Sequence, residues 1–182
     1  PSITFFYGYY GIAYPFGKLD PLSLPDVAAG AMENAGAITF RETDLLVDGA
    51  TASTLAEKRV AEVVSHEIAH QWFGDLVTMK WWDDIWLHEG FATFMSTKPT
   101  EAWKPEWRAD LDKPAATDEA LNIDSLRSTL PIRTPANAEG SGFSNAGIIY
   151  GKTASVLRMV EDWVGPDAFR DAIRVYLRKY SW

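Results

Sequence analysis

The sequence predicts an α+β chain, with short strands early and helices after them. Three observations carry this. The first 50 residues are rich in Gly, Pro and aromatics and contain two short β-prone runs. From residue 53 onward, apolar residues recur at helical spacing. Cap and stop residues bracket those helical runs.

In the opening stretch Gly8, Gly11, Pro15, Gly17, Pro21 and Pro25 punctuate short segments. Ile38-Thr39-Phe40 and Leu45-Leu46-Val47 suit short strands. A long helix is expected over residues 53–73, with Leu55, Val60, Val63, Val64 and Ile68 apolar and Gly74 as its stop. A second helix starts near Asp83 or Asp84, either of which can cap it, and runs to about Ser96. Residues 98–142 are polar and broken by Pro99, Pro105, Pro114, Pro131 and Pro135. Within them, 119–128 suit a helix and Gly140-Ser141-Gly142 a flexible loop. Residues 146–164 form a third helix with Val156, Leu157, Val160 and Val164 as its stripe. Gly165-Pro166 ends it and starts the last helix, whose buried face is Ala168, Phe169, Ala172, Ile173, Tyr176 and Leu177. Arg174, Arg178 and Lys179 lie towards that helix's C-terminal end, where cations suit the dipole.

A chain of 182 residues, 47% hydrophobic, can bury one substantial core. Its 17 basic and 25 acidic residues give a formal charge of -8. No basic run stands out, so a nucleic-acid partner is not expected. The acidity is compatible with a cationic substrate such as a free peptide amine, although ordinary solubility is the simpler account. With no cysteine, disulfides, thiolate zinc sites and cysteine nucleophiles are excluded. No apolar stretch reaches the length of a membrane span, and no signal peptide is visible. The chain starts at Pro1 without Met and stops at Trp182 after a helical pattern, so it reads as one domain of a longer protein. The compartment stays open, with the cytoplasm slightly favoured.

The chemistry is concentrated in His66-Glu67-Ile68-Ala69-His70. Residues four apart share one helix face, so two imidazoles can bind one metal ion. Glu67 between them can reach a water on that ion. A catalytic zinc has three protein ligands and an open position. A metzincin would need Gly and His where this chain has Phe73 and Leu76, and the inverted motif is also absent. A carboxylate on the following helix remains, and Glu89, in Trp86-Leu87-His88-Glu89-Gly90-Phe91, is that candidate.

The run HEIAHQWFGDLVTMKWWDDIWLHEGFA, from His66 to Ala92, resembles the gluzincin aminopeptidases, the aminopeptidase N family. That family's second signature, Gly-Ala-Met-Glu-Asn, stands intact at Gly30 to Asn34. The resemblance implies one Zn2+ ion on His66, His70 and Glu89, with Glu67 as general base. It implies that Gly30, Ala31, Met32, Glu33 and Asn34 bind substrate: Glu33 holds the free N-terminal amine, the Gly30-Ala31 backbone lies alongside the peptide, and Asn34 orients the loop. It also implies that Tyr150, in a segment similar to the family's catalytic-tyrosine helix, donates a hydrogen bond to the oxyanion. The implied fold is thermolysin-like α+β. A small mixed sheet would carry an edge strand near Gly30 in the first 50 residues, with a mainly helical part over 51–182. The implied partners are peptides with a free N-terminus, and N- and C-terminal domains flanking this one in the parent protein.

Three departures stand out. His88 replaces a common Asn and is expected to pack rather than ligate, since it points about 100° away from Glu89 around the helix. Leu130 replaces a common His, and the stretch from Asn137 to Asn145 is altered. Two other functions stay open: a related gluzincin hydrolase, of endopeptidase or leukotriene-hydrolase type, and a zinc-bound but inactive scaffold.

Overall fold

The computed structural model describes residues 1–137 and 145–182. The expected loop Gly140-Ser141-Gly142 and most of the altered stretch before the tyrosine segment lie outside them. Among the described residues, six α-helices and three short strands follow in the order α1 (Ser2–Tyr10), β1 (Leu22–Leu24), β2 (Ala31–Met32), β3 (Thr39–Arg41), α2 (Thr54–His70), α3 (Trp86–Trp103), α4 (Lys113–Asp124), α5 (Thr153–Val164) and α6 (Pro166–Tyr180). This is the expected α+β order, a small mixed sheet followed by a mostly helical remainder. No helix among the described residues is long and apolar enough to cross a membrane.

The first departure is α1, where the glycines suggested only punctuation. Phe6 and Tyr10, four apart, are fully buried and pack on Trp72 with ring centroids 5.9 and 5.3 Å away. Gly11 ends the helix at φ 63°, its N–H bonded to the Tyr7 carbonyl at 2.9 Å. Arg174 of α6 donates to the Tyr9 and Gly8 carbonyls, each at 2.8 Å. Burial and these bonds outweigh the poor helix propensity of Gly8.

β1 pairs in parallel with β3, and β2 pairs antiparallel with β3, giving the order β1-β3-β2. β2 opposes Ala31 to Phe40 and Met32 to Thr39, and among the described residues its other side is a free edge. The residues expected as a second strand, Leu45 to Val47, form none. The chain instead takes a tight 3₁₀ turn over Glu42–Asp44, leaving Leu46 and Val47 exposed, while buried Asp44 meets Arg59 of α2.

Ser53 caps α2, its hydroxyl accepting the Ala56 N–H at 3.2 Å. α2 stops at His70, earlier than expected, and Gly74 turns the chain at φ 142°. α3 runs past Ser96 to Trp103 with a buried Pro99 inside it. α4 starts well before residue 119, because Pro114 sits in its first turn, where the missing N–H costs nothing. The third helix is not regular: Gly147–Lys152 form a π turn before α5 begins. The stripe expected to face inward on α5 does so only in part. Leu157 packs against the core beside buried Thr153 and Ala154, whereas Val156, Val160 and Val164 are exposed. On α6, Phe169, Ile173 and Leu177 are buried as expected, whereas Ala168 and Ala172 are exposed. The core lies between α1, α2, α3 and α6 and includes Trp72, Phe73, Phe91, Phe94 and Leu177.

Candidate active site

The site forms where the end of α2 crosses the start of α3. His66 and His70 lie one turn apart on α2. Glu89 lies in the first turn of α3, near the helix's positive end. His66 Nε2 stands 3.0 Å from His70 Nε2, and Glu89 Oε2 stands 3.3 Å from the first and 3.2 Å from the second. Three ligand-type atoms therefore form a near-equilateral triangle.

The tautomer of His70 makes this triangle informative. Its Nδ1 lies 3.0 Å from the Phe73 carbonyl, which can only accept, so Nδ1 carries a proton. A neutral ring would then turn its Nε2 lone pair towards the carboxylate oxygen of Glu89. Lone pair against carboxylate is repulsive unless a proton or cation lies between them. Ligand atoms around a tetrahedral zinc, at about 2.0–2.1 Å each, stand about 3.3 Å apart, close to the spacings here. The donor set of two imidazoles and a carboxylate also suits zinc. These residues therefore fit the implied metal. His66 Nδ1 is 3.5 Å from Thr93 Oγ1, one turn beyond Glu89 on α3.

Charge is arranged around the same point. Burial disfavours the His70 imidazolium, but a hydrogen bond to Glu89 and the charges of Glu89, Glu33 and Glu67 outweigh it, raising the pKa to about 9. Burial lowers that of His66. Burial alone would raise Glu89, yet hydrogen bonds from both histidines hold it well below the usual carboxylate range. Glu67 has no such partners. Burial pushes its pKa up to about 8, and its Oε2 has no hydrogen-bond partner among the described residues. Glu67, Glu33 and His70 can bring ligand-type atoms within 4.8 Å of one another.

Tyr150 comes from the π turn. Its ring stacks on His66 at 5.9 Å, and burial, the charge of Glu89 and a hydrogen bond to it raise the phenol pKa far above its usual value. The turn gets this close because Gly90, next to Glu89, has no side chain. A Cβ there would stand 2.1 Å from Thr153 Cγ2 and 3.1 Å from the Ile149 carbonyl.

The Gly30 to Asn34 segment borders the site from the sheet. Ala31 and Met32 form the edge strand β2, and the Gly30 carbonyl accepts the Arg41 N–H at 2.8 Å. Glu33 Oε1 is 3.9 Å from His70 Nδ1. Asn34 is exposed, and its carbonyl closes a turn to the Ala37 N–H at 2.9 Å.

His88 stands apart from the triangle. Its Nε2 accepts the Met79 N–H at 2.9 Å and so is engaged away from the ligand atoms. Leu130 is half-buried. Sequence reading missed Gln71, which links α2 to the Glu33 loop, and Thr93 and the Phe73 carbonyl, which hold the histidine rings. Only Thr93 left a signal, being four residues after Glu89 and so on its face.

The model of the peptidase family M1 domain matches residues 1–182, the whole chain. A leucyl aminopeptidase of Saccharolobus solfataricus is 49% identical over the full chain, which spans 23% of that relative. The tricorn protease-interacting factor F2 of Thermoplasma volcanium is 48% identical over the full chain and 23% of its own length. Aminopeptidase 2 of Candida albicans is 44% identical over the full chain and 20% of its own length. The chain thus spans about a fifth of the length of these curated relatives. Matched from its first residue to its last, and carrying the signatures that marked it as similar to the aminopeptidase N-like gluzincins, the chain belongs to peptidase family M1.

Proposed function

We propose that this chain is the catalytic core of a zinc-dependent aminopeptidase that removes the N-terminal residue of peptides. The observation that carries the proposal is the triangle of His66, His70 and Glu89 beside a buried Glu67 carboxylate whose Oε2 has no hydrogen-bond partner among the described residues. A single zinc held by the three ligands would polarise the scissile carbonyl and acidify the attacking water. Glu67 accepts the proton from that water and delivers it to the leaving amine, a task for which its raised proton affinity suits it. The Tyr150 hydroxyl, kept protonated by its surroundings, donates to the oxyanion. Substrate strands extend β2 along its free edge, and Glu33 pairs with the free ammonium, which places the first peptide bond at the reaction centre. The surroundings of His70 are acidic, with Glu33, Glu67 and Glu89 all acting on it, and this favours both a metal ion and a substrate ammonium.

The overall arrangement is taken to be thermolysin-like, with the site between the sheet-bearing first 50 residues and the helical part. The working enzyme is taken to be the longer parent protein, in which flanking N- and C-terminal domains complete the cavity. The test is metal analysis of the full-length parent, paired with a panel of aminoacyl chromogenic amides and their N-acetylated forms. Stoichiometric zinc with cleavage of the free-amine series alone is the expected result. Equal cleavage of acetylated substrates would point to an endopeptidase, bound zinc without cleavage to a scaffold, and absence of zinc would overturn the reading.

A further inference from the structure

We propose that Gln71 is a positioning residue that sets the distance between the zinc ligands and the amine-holding Glu33. This rests on the aminopeptidase reading above. Gln71 directly follows His70 and is fully buried. Among the described residues its amide makes three hydrogen bonds, all to the sheet-bearing part of the chain. Nε2 donates to the Glu33 carbonyl at 2.8 Å, while Oε1 accepts the Gly36 N–H at 3.3 Å and the Tyr14 hydroxyl at 3.2 Å. Tyr14 shares its single proton with the Lys18 carbonyl at 3.1 Å. Reversing the amide would set N–H against N–H and oxygen against oxygen, so the orientation is fixed.

The Glu33 carboxylate has little else to hold it. Its nearest charged partner is His70 Nδ1, at 3.9 Å, and that nitrogen is already committed to Phe73. The place of Glu33 is therefore set through the backbone. On one side β2 fixes Ala31 and Met32. On the other, Gln71 grips both ends of the turn, at Glu33 and at Gly36, where φ is 75°. The amide belongs to the residue that caps the C-terminal end of the ligand-bearing helix. The amine anchor is thereby registered against the metal ligands, and an exopeptidase depends on that registration.

The test uses the zinc-loaded full-length parent carrying Gln71→Met or Gln71→Glu. Met keeps the length without hydrogen bonds, and Glu puts a carboxylate oxygen where the Glu33 carbonyl needs a donor. Inhibition by L-leucine hydroxamate is compared with that by N-acetyl-L-leucine hydroxamate, which shares its metal-binding group and side chain but lacks the free amine. Zinc content should be unchanged, and the preference for the free amine should fall at least about tenfold in both variants. KM for a leucyl amide should rise by more than kcat falls. An unchanged preference overturns the proposal. So does equal loss of both inhibitors or loss of zinc, because Gln71 would then serve the metal helix rather than Glu33. If the Gln71 variants do not fold, Tyr14→Phe, which strips one donor from the amide, should lower the preference by about two- to threefold, and no change there overturns the proposal. A wild-type enzyme with no preference for the free amine would instead refute the aminopeptidase reading itself.

Discussion

Glu67 and Glu89 both act on the buried His70, one from the same helix and one from the crossing helix, with opposite proton affinities. Glu89 takes hydrogen bonds from both rings and stays ionised, whereas Glu67 takes none and is pushed up to about 8. One carboxylate is thereby suited to hold a cation and the other to move a proton. Glu67→Gln should accordingly retain zinc and lose turnover by about 10²–10⁴-fold. Glu89→Gln should lose zinc affinity first. Metal content and kcat measured on both variants of the parent enzyme separate the roles. Near-normal turnover by Glu67→Gln would remove it as general base.

The same asymmetry predicts how the metal-free protein responds to pH. The Glu67 pKa rises from an ordinary 4.5 to about 8 on folding, so folding favours its protonated form. Its contribution is fully present below pH 4.5 and is lost as pH rises through 8. His70, raised from 6.5 to about 9, acts in the same sense: its stabilisation is present below 6.5 and is lost through 9. Chelator-treated protein should therefore lose stability between about pH 5 and 9. Glu67→Gln, with nothing to ionise there, should gain on wild type across pH 5 to 8. The thermal midpoints of the two proteins at each pH check this. Equal midpoints throughout would mean that burial of Glu67 costs nothing.

How much of this was legible beforehand follows from how local each signal is. His66, Glu67 and His70 are read from one helical turn, and Glu89 from one helix further on. The structure brings their ligand atoms together without any long-range surprise. Gly30 to Asn34 is likewise a contiguous motif, and the edge position of β2 agrees with the expectation for it. The opening helix was hidden because Phe6 and Tyr10 find their partner, Trp72, far along the chain. Gln71 was invisible for the same reason, since its partners Tyr14, Glu33 and Gly36 come from a different part of the sequence. The stripe on α5 held only at Leu157, because apolar spacing shows that a face exists, not which neighbour covers it.

Gly90 makes a prediction that helix propensity alone would get backwards. In an exposed helix interior, Gly→Ala stabilises by up to about 1 kcal/mol. Here an added Cβ would stand 2.1 Å from Thr153 Cγ2 and 2.6 Å from Thr153 Cβ, and the branched threonine cannot swing clear. Gly90→Ala should instead cost about 1–3 kcal/mol and push the π turn, with Tyr150, away from Glu89. Denaturant unfolding measures the first effect. A fall in kcat larger than the fall in zinc affinity reports the second. A stabilised, fully active variant would mean that Tyr150 does not depend on this close approach.

His88 is the one histidine that the geometry assigns to structure alone. Its Nε2 accepts the N–H of Met79 at 2.9 Å, and its Nδ1 lies beside the turn at Gly74, 3.5 Å from where a Cβ there would stand. Burial lowers its pKa, so the ring is neutral and available as an acceptor. Replacing it with Leu would strand the Met79 N–H and should cost about 1–3 kcal/mol. Zinc content should not change, because none of the three ligand atoms is touched. Asn, a shorter acceptor, should recover part of the stability if its oxygen reaches Met79. Thermal unfolding and metal content of the Leu and Asn variants decide the point. Loss of zinc in the Leu variant at a temperature where it remains folded would show that His88 supports the metal directly.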